Sequence, residues 1–204
     1  NIRLMDGSTL TADTYVFACG PWLSKIFPIA LKDVIQPTRQ EVFFFGTPYG
    51  NTDYFEQKTP VWTDFGEKLW YGIPGAEWRG FKVADDTRGV DFDPTTGDRT
   101  PSKRGIESAR KYLGKRFPGM KNAPLLEARV CQYENSLDGN YIIDRHPNAD
   151  NIWVIGGGSG HGFKLGPALG EFVADRVTGK KEVDPFFSLS RFSDEPKKKT
   201  QFNQ

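Results

Sequence analysis

The run Gly156-Gly157-Gly158-Ser159-Gly160-His161-Gly162 follows an apolar stretch, residues 151–155, and precedes a helix-forming segment at about 164–177. Glycines let a backbone approach a ligand closely, and a helix start offers unpaired N–H groups and the positive end of its dipole. A strand, a glycine loop and a helix in that order suit a phosphate, a carboxylate or an electron-rich ring. The run is not the dinucleotide-binding fingerprint, because no acidic residue follows at the right distance on a second strand. A plain tight strand-to-helix turn uses the same glycines, so the loop alone leaves both readings open. Lys164 stands near the helix start, where the dipole disfavours a cation, and that mismatch favours a functional lysine over a surface one.

The elements around the loop can be read from periodicity. The helix after it puts Leu165, Leu169, Phe172, Val173 and Val177 on one face, and Gly179 closes it. At the start of the chain, residues 2–4 and 9–11 flank Asp6-Gly7, a hairpin turn. Residues 15–19 form a short β-rich run that ends at Gly20-Pro21-Trp22 and reads as a strand buried on both faces. A short helical turn is expected over 24–30. From Gln36 onward, aromatic and β-branched stretches at 41–45, 61–65, 68–73 and 80–84 alternate with turn residues, predicting an antiparallel or mixed sheet. Ser102 can cap a helix through Arg116, with Ile106, Ala109, Tyr112, Leu113 and Phe117 at helical spacing and Gly119 as its end. Strands are expected again at 128–133 and 141–144. No internal repeat is visible.

Bulk properties narrow the function classes. The chain has 204 residues, enough for one good-sized domain or two small ones, with 37% hydrophobic and 26% charged residues. A net charge of +1 gives no electrostatic reason to expect nucleic acid or an anionic membrane as partner. Cys19 and Cys131 are too few for a disulfide framework and fit no zinc spacing, which makes a reducing, cytoplasmic setting the default. No apolar run approaches the roughly 20 residues that span a bilayer, and nothing resembles a signal peptide. Lys197, Lys198 and Lys199 follow Pro196 and read as a solvated, frayed terminus. The chain starts at Asn1, inside what reads as a strand, and is read as a fragment.

Family resemblance adds what spacing cannot. Gly158-Ser159-Gly160-His161-Gly162-Phe163-Lys164, followed by Gly166-Pro167 and Gly170-Glu171, resembles the C-terminal flavin loop of FAD-dependent oxidoreductases of the D-amino-acid oxidase superfamily, sarcosine oxidase-like branch. Three further segments match in the same order. Phe17-Ala18-Cys19-Gly20-Pro21-Trp22 resembles the strand end that closes the FAD domain. Tyr71-Gly72-Ile73-Pro74 and Gly80-Phe81-Lys82 resemble the stretch with a substrate-side tyrosine and an oxygen-activating lysine. Arg129-Val130-Cys131-Gln132-Tyr133, leading to Tyr141-Ile142-Ile143-Asp144, resembles the segment whose cysteine can link to FAD.

The resemblance, which spans about residues 1–180, implies an α/β (α+β mixed) fold. Residues 1–37 and 126–180 would form the C-terminal part of an FAD-binding Rossmann-like domain, 38–125 a substrate domain on a mixed β-sheet, and 181–204 a tail. It implies oxidation of the C–N bond of an amino acid or N-alkyl amino acid, giving an imine, with oxygen reoxidising the flavin. Lys164 would bind the substrate carboxylate, Lys82 would serve oxygen, and Tyr71 and Tyr133 would line the substrate cavity. The backbone of Gly160, His161 and Gly162 would polarise the flavin pyrimidine, with Gly158, Ser159, Phe163, Gly20 and Trp22 also lining the cofactor. Cys131 would either carry a thioether to FAD or be a small buried hydrophobe. Strand alternation sets Lys82 opposite Phe81 and Val83, which an exposed lysine would also satisfy.

Two residues depart from the sarcosine oxidase pattern: Glu134 where it has threonine, and Asp86 where it has a histidine near the substrate amine. The second puts sarcosine itself in doubt and suits a more cationic amine. No G-x-G-x-x-G follows an N-terminal strand, so this chain alone is expected to bind FAD poorly, to be inactive, and to cover exposed strand edges by forming a homodimer. Two alternatives stay open: a non-catalytic binding module that keeps the fold, and an amine dehydrogenase passing electrons to a quinone or protein acceptor.

Overall fold

The computed structural model describes residues 1–75 and 79–193; Lys197, Lys198 and Lys199 lie outside them. The strands are β1 (Ile2–Arg3), β2 (Thr9–Leu10), β3 (Tyr15–Phe17), β4 (Ile35–Phe45), β5 (Trp62–Phe65), β6 (Leu69–Ile73), β7 (Phe81–Asp85), β8 (Leu125–Ser136), β9 (Ile142–His146) and β10 (Ala149–Gly156). The helices are α1 (Leu23–Ile26), α2 (Pro28–Leu31), α3 (Lys103–Arg116) and α4 (Gly166–Val177). The chain divides into two compact units, Asn1–Pro37 with Tyr133–Gln204, and Thr38–Gln132. No helix among the described residues is long and apolar enough to cross a membrane.

In the first unit, β3 runs parallel to β10 with Val16 opposite Trp153, and β9 pairs antiparallel on the far side of β10. This mixed sheet packs on a core of Leu23, Leu31, Ile35, Ile142 and Val154, with Phe17 and Phe27 against it. Each such side chain contributes about 1.5–3 kcal/mol by leaving water. The expectation that residues 15–19 are buried on both faces is not met. Tyr15 is buried but Val16 is 48% exposed, because β3 is an edge strand with only one face packed. Asp6-Gly7 makes the expected hairpin turn, Gly7 at φ +85 and Asp6 Oδ1 accepting from the Ser8 N–H.

In the second unit the strand order is β5-β6-β7-β4-β8, with antiparallel pairing from β5 through β4. Alternation sends Phe43, Phe45, Phe81 and Val83 to one face, where Ala109 and Leu113 of α3 pack. Trp70 stacks on Tyr112 there, ring centroids 4.5 Å apart. Val42, Phe44 and Ala84 form a separate cluster with Tyr71 and Cys131. Ser102 caps α3, its Oγ accepting from the Gly105 N–H at 2.9 Å. Glu41 locks the cap by accepting from both the N–H and the Oγ of Ser102. The helix ends at Arg116 as expected, but Pro118 rather than Gly119 stops it, because the residue before a proline is driven out of helical geometry. Gly119 sits in the following 3-10 turn, Pro118–Met120.

Candidate active site

In the first unit, β10 ends in the loop at Gly157, a 3-10 turn covers Phe163–Leu165, and α4 follows. The chain turns back on itself through three residues with positive φ: Gly157 at +71, Ser159 at +46 and Gly160 at +86. At Gly160 the need for glycine is doubled, since a Cβ would stand 2.7 Å from the Tyr133 ring. The His161 N–H donates to Gly158 O at 2.7 Å, so it is consumed inside the loop. The N–H groups of Gly160 and Gly162 have no acceptor among the described residues. Of the backbone groups expected to polarise a ring, then, Gly160 and Gly162 are the ones free to do so.

Lys164 lies in the 3-10 turn, exposed and without an ion pair among the described residues, and Phe163 beside it is fully exposed. Gly20, at φ +53, and Trp22 form the 3-10 turn that leads from β3 into α1 of the same unit. Leu23, the next residue, packs so tightly on the end of β10 that a Cβ at Gly156 would lie 2.4 Å from it.

In the second unit, Lys82 faces away from Phe81 and Val83. Its Nζ stands 4.7 Å from the Tyr71 ring centroid, and Lys82 is half-buried. Register places Lys82 opposite Phe44, and Cys131 packs on the cluster that contains Phe44. Lys82, Tyr71 and Cys131, far apart in sequence, are therefore brought to one face of one sheet. Arg79 and Arg129 lie over the Phe44 ring at 4.7 and 6.0 Å and share Glu127 as a partner. These two arginines carried no role in the sequence reading, and only strand register reveals that they converge.

Glu134 was noticed only as a departure from a pattern. Its Oε1 accepts from the Gly158 N–H at 3.4 Å, and its main-chain oxygen accepts from the Ser159 N–H at 3.2 Å. Its Oε2 is buried and has no partner among the described residues. Burial pushes the carboxyl above the ordinary range, against the loop N–H groups of Gly158 and Gly157 that draw it down. Burial also raises the Cys19 thiol and the Tyr141 phenol, and the Glu134 charge adds to both. The sequence signal for Glu134 is its departure from the family's threonine alone, since β8 also carries Glu127 and Arg129.

With this geometry in place, known proteins give a consistent match. The FAD dependent oxidoreductase family, DAO, matches residues 2–176, and the chain belongs to that family. Its cofactor is accordingly FAD. Monomeric sarcosine oxidase of Bacillus sp. (strain NS-129) is 33% identical over 198 residues, 93% of this chain and 50% of that protein. N-methyl-L-tryptophan oxidase of Salmonella dublin is 33% identical over 191 residues, covering 89% of this chain and 48% of its own length. Among solved structures, Amadoriase I from Aspergillus fumigatus shares the fold with a TM-score of 0.76 at 23% identity, over 92% of this chain and 45% of that one. Iminodiacetate oxidase from Chelativorans sp. BNC1 gives 0.73 at 22% identity, over 90% and 48%. The chain thus spans about half the length of the curated relatives it matches. The expected mixed α/β architecture and FAD family are both observed. The residues present fit the cofactor: two free N–H donors sit on a glycine turn that presents backbone rather than side chain.

Proposed function

We propose that this chain serves an FAD-dependent oxidase that oxidises the C–N bond of an amino acid or N-alkyl amino acid to an imine. The observation that carries the reading is the single sheet face shared by Lys82, Tyr71 and Cys131. The unit Thr38–Gln132 would serve the substrate, and the unit containing the glycine loop would serve the flavin. Bound FAD would accept a hydride equivalent from the substrate Cα–H, leaving an imine that water hydrolyses, and oxygen would take the electrons to give peroxide.

The protein's own groups do the rest. The N–H groups of Gly160 and Gly162 would donate to the pyrimidine oxygens of the flavin. Lys164, a cation without an ion pair among the described residues, binds the substrate carboxylate. Lys82 is a cation held against an aromatic face, and it stabilises the negative charge that develops on oxygen as it is reduced. Tyr71 and Tyr133 bound the substrate with ring and hydroxyl. Asp86, whose N–H is tied to Leu69 O, selects a substrate with a more cationic amine than sarcosine. Two free cysteines accord with a reducing, cytoplasmic setting.

The test uses the full-length protein and a panel of N-methyl and basic amino acids, with peroxide release as readout. Lys82→Met is expected to slow flavin reoxidation by a factor on the order of 10²–10³ while leaving anaerobic reduction by substrate unchanged. Equal loss in both half-reactions would contradict the oxygen-side role. Turnover with a quinone and none with oxygen in the unaltered protein would favour the dehydrogenase.

A further inference from the structure

We propose that Glu134 is a positioning residue for the glycine loop, fixing Gly157, Gly158 and Ser159 so that the N–H groups of Gly160 and Gly162 stay free for a ligand. The inference rests on reading that loop as the flavin site, and it adds a residue to which no role in that site has been given.

Two consecutive loop residues hang from this one position. The Gly158 N–H goes to the carboxyl, whose pKa the neighbouring Gly157 N–H also draws down, and the Ser159 N–H goes to the main-chain oxygen. The neighbours of Glu134 in β8 finish the hold. The Tyr133 ring fills the space beside Gly160, and the Ser136 N–H donates to Ser159 Oγ at 3.2 Å. Ser159 needs that support, as the one non-glycine residue with positive φ among those described. Its Oγ also donates to Gly157 O at 3.1 Å.

A buried carboxyl with one oxygen unpartnered among the described residues is a poor choice for stability alone. Gly156 has to be glycine partly because of it, since a Cβ there would stand 3.0 Å from Glu134 Oε2. Among the described residues, Cys19 and Tyr141 feel the charge of this carboxyl, and neither brings a positive charge to hold it ionised. What offsets the cost is the grip on the loop. A threonine side chain, two carbons shorter and bearing a hydroxyl, could not supply the same acceptor.

The experiment follows the amide resonances of full-length protein labelled with isotopic glycine as pH is raised, together with FAD titration by flavin fluorescence. Wild type is compared with Glu134→Gln and Glu134→Thr, each checked for an unchanged circular dichroism spectrum. Gly157 and Gly158 are expected to move together through one transition above the ordinary glutamate range, and neither variant shows it. Glu134→Gln keeps an acceptor and should hold FAD within about twofold of wild type, whereas Glu134→Thr should weaken it roughly tenfold. Glycine amides blind to pH in a protein that binds FAD, or a threonine variant that binds FAD as tightly as wild type, would overturn the proposal. Amides that titrate in a wild type that takes up no FAD would instead overturn the flavin reading of the loop.

Discussion

A lysine ammonium 4.7 Å from a tyrosine ring centroid is held by the ring quadrupole as well as by its own strand, and that hold is worth about 0.5–2 kcal/mol. Tyr71→Phe keeps the ring and should leave reoxidation of the flavin nearly unchanged. Tyr71→Leu removes it and should slow reoxidation by roughly 2- to 30-fold, measured by stopped flow after anaerobic reduction. Equal effects from both substitutions would mean that the hydroxyl, not the ring, matters at Lys82. Gly160→Ala is a sharper perturbation. It combines a φ of +86 with a Cβ 2.7 Å from Tyr133, for about 1–2 kcal/mol of backbone strain before the ring moves. We expect it to abolish flavin retention on gel filtration while shifting the thermal midpoint by only a few degrees; full retention would contradict the role given to the loop backbone. Sequence pattern and resemblance had picked out Lys82, Tyr71, Tyr133 and the loop. They could not show that His161 spends its N–H on Gly158, nor that Glu134 grips the loop, because both depend on turn geometry that residue types alone do not encode.

The elements were legible where a side-chain period was long and clean. The capped α3, the strands of the second unit and the strand-loop-helix at the end of the chain all lie close to where periodicity puts them. The exceptions have local causes. Val16 is exposed because a three-residue edge strand alternates instead of burying both faces, and Pro118 rather than Gly119 stops α3 because proline restricts its predecessor. Another tie between elements was invisible to any pattern: Arg191, in the 3-10 turn Leu189–Phe192, forks onto Asp138 at 2.8 and 3.2 Å. Burial would raise the Asp138 carboxyl, but the guanidinium fork and the Asn140 N–H overrule it and hold the pKa at about 2. A depressed carboxylate stabilises the fold above its unfolded pKa, near 3.8, and that contribution is lost as pH falls toward 2. Discounted for the partial exposure of Asp138, it is on the order of 1 kcal/mol. Arg191→Met should therefore lower the thermal midpoint at pH 7 and leave it nearly unchanged near pH 2. A loss of equal size at both values would assign the effect to packing against Phe192 instead.

At the scale of the molecule, the chain holds two compact units and matches its family over residues 2–176, while spanning about half the length of its relatives. The edge of β3 is unpaired among the described strands, and Val16 stands exposed on it. Such an edge invites another strand. The homodimer we propose on that ground should weaken at least several-fold with Val16→Lys, read by sedimentation across a concentration series, and an unchanged equilibrium would place any self-association elsewhere. The family and the mixed architecture could be read from four short segments in the right order. The same resemblance carried the expected split into a flavin part and a substrate part; the strand order within each unit could not be read, since residue types do not fix which strands pair. The central claim, a flavin-dependent amine oxidase, is tested most directly by the visible spectrum of the full-length protein, taken anaerobically with an N-methyl amino acid, again after air is admitted, and finally after acid precipitation. The account predicts a flavin band that bleaches with substrate and returns with air as peroxide appears; colour left in the acid pellet would assign Cys131 the thioether, and colour in the supernatant would assign it packing. A protein that stays colourless with added FAD, or a flavin band that no amine bleaches, would contradict it.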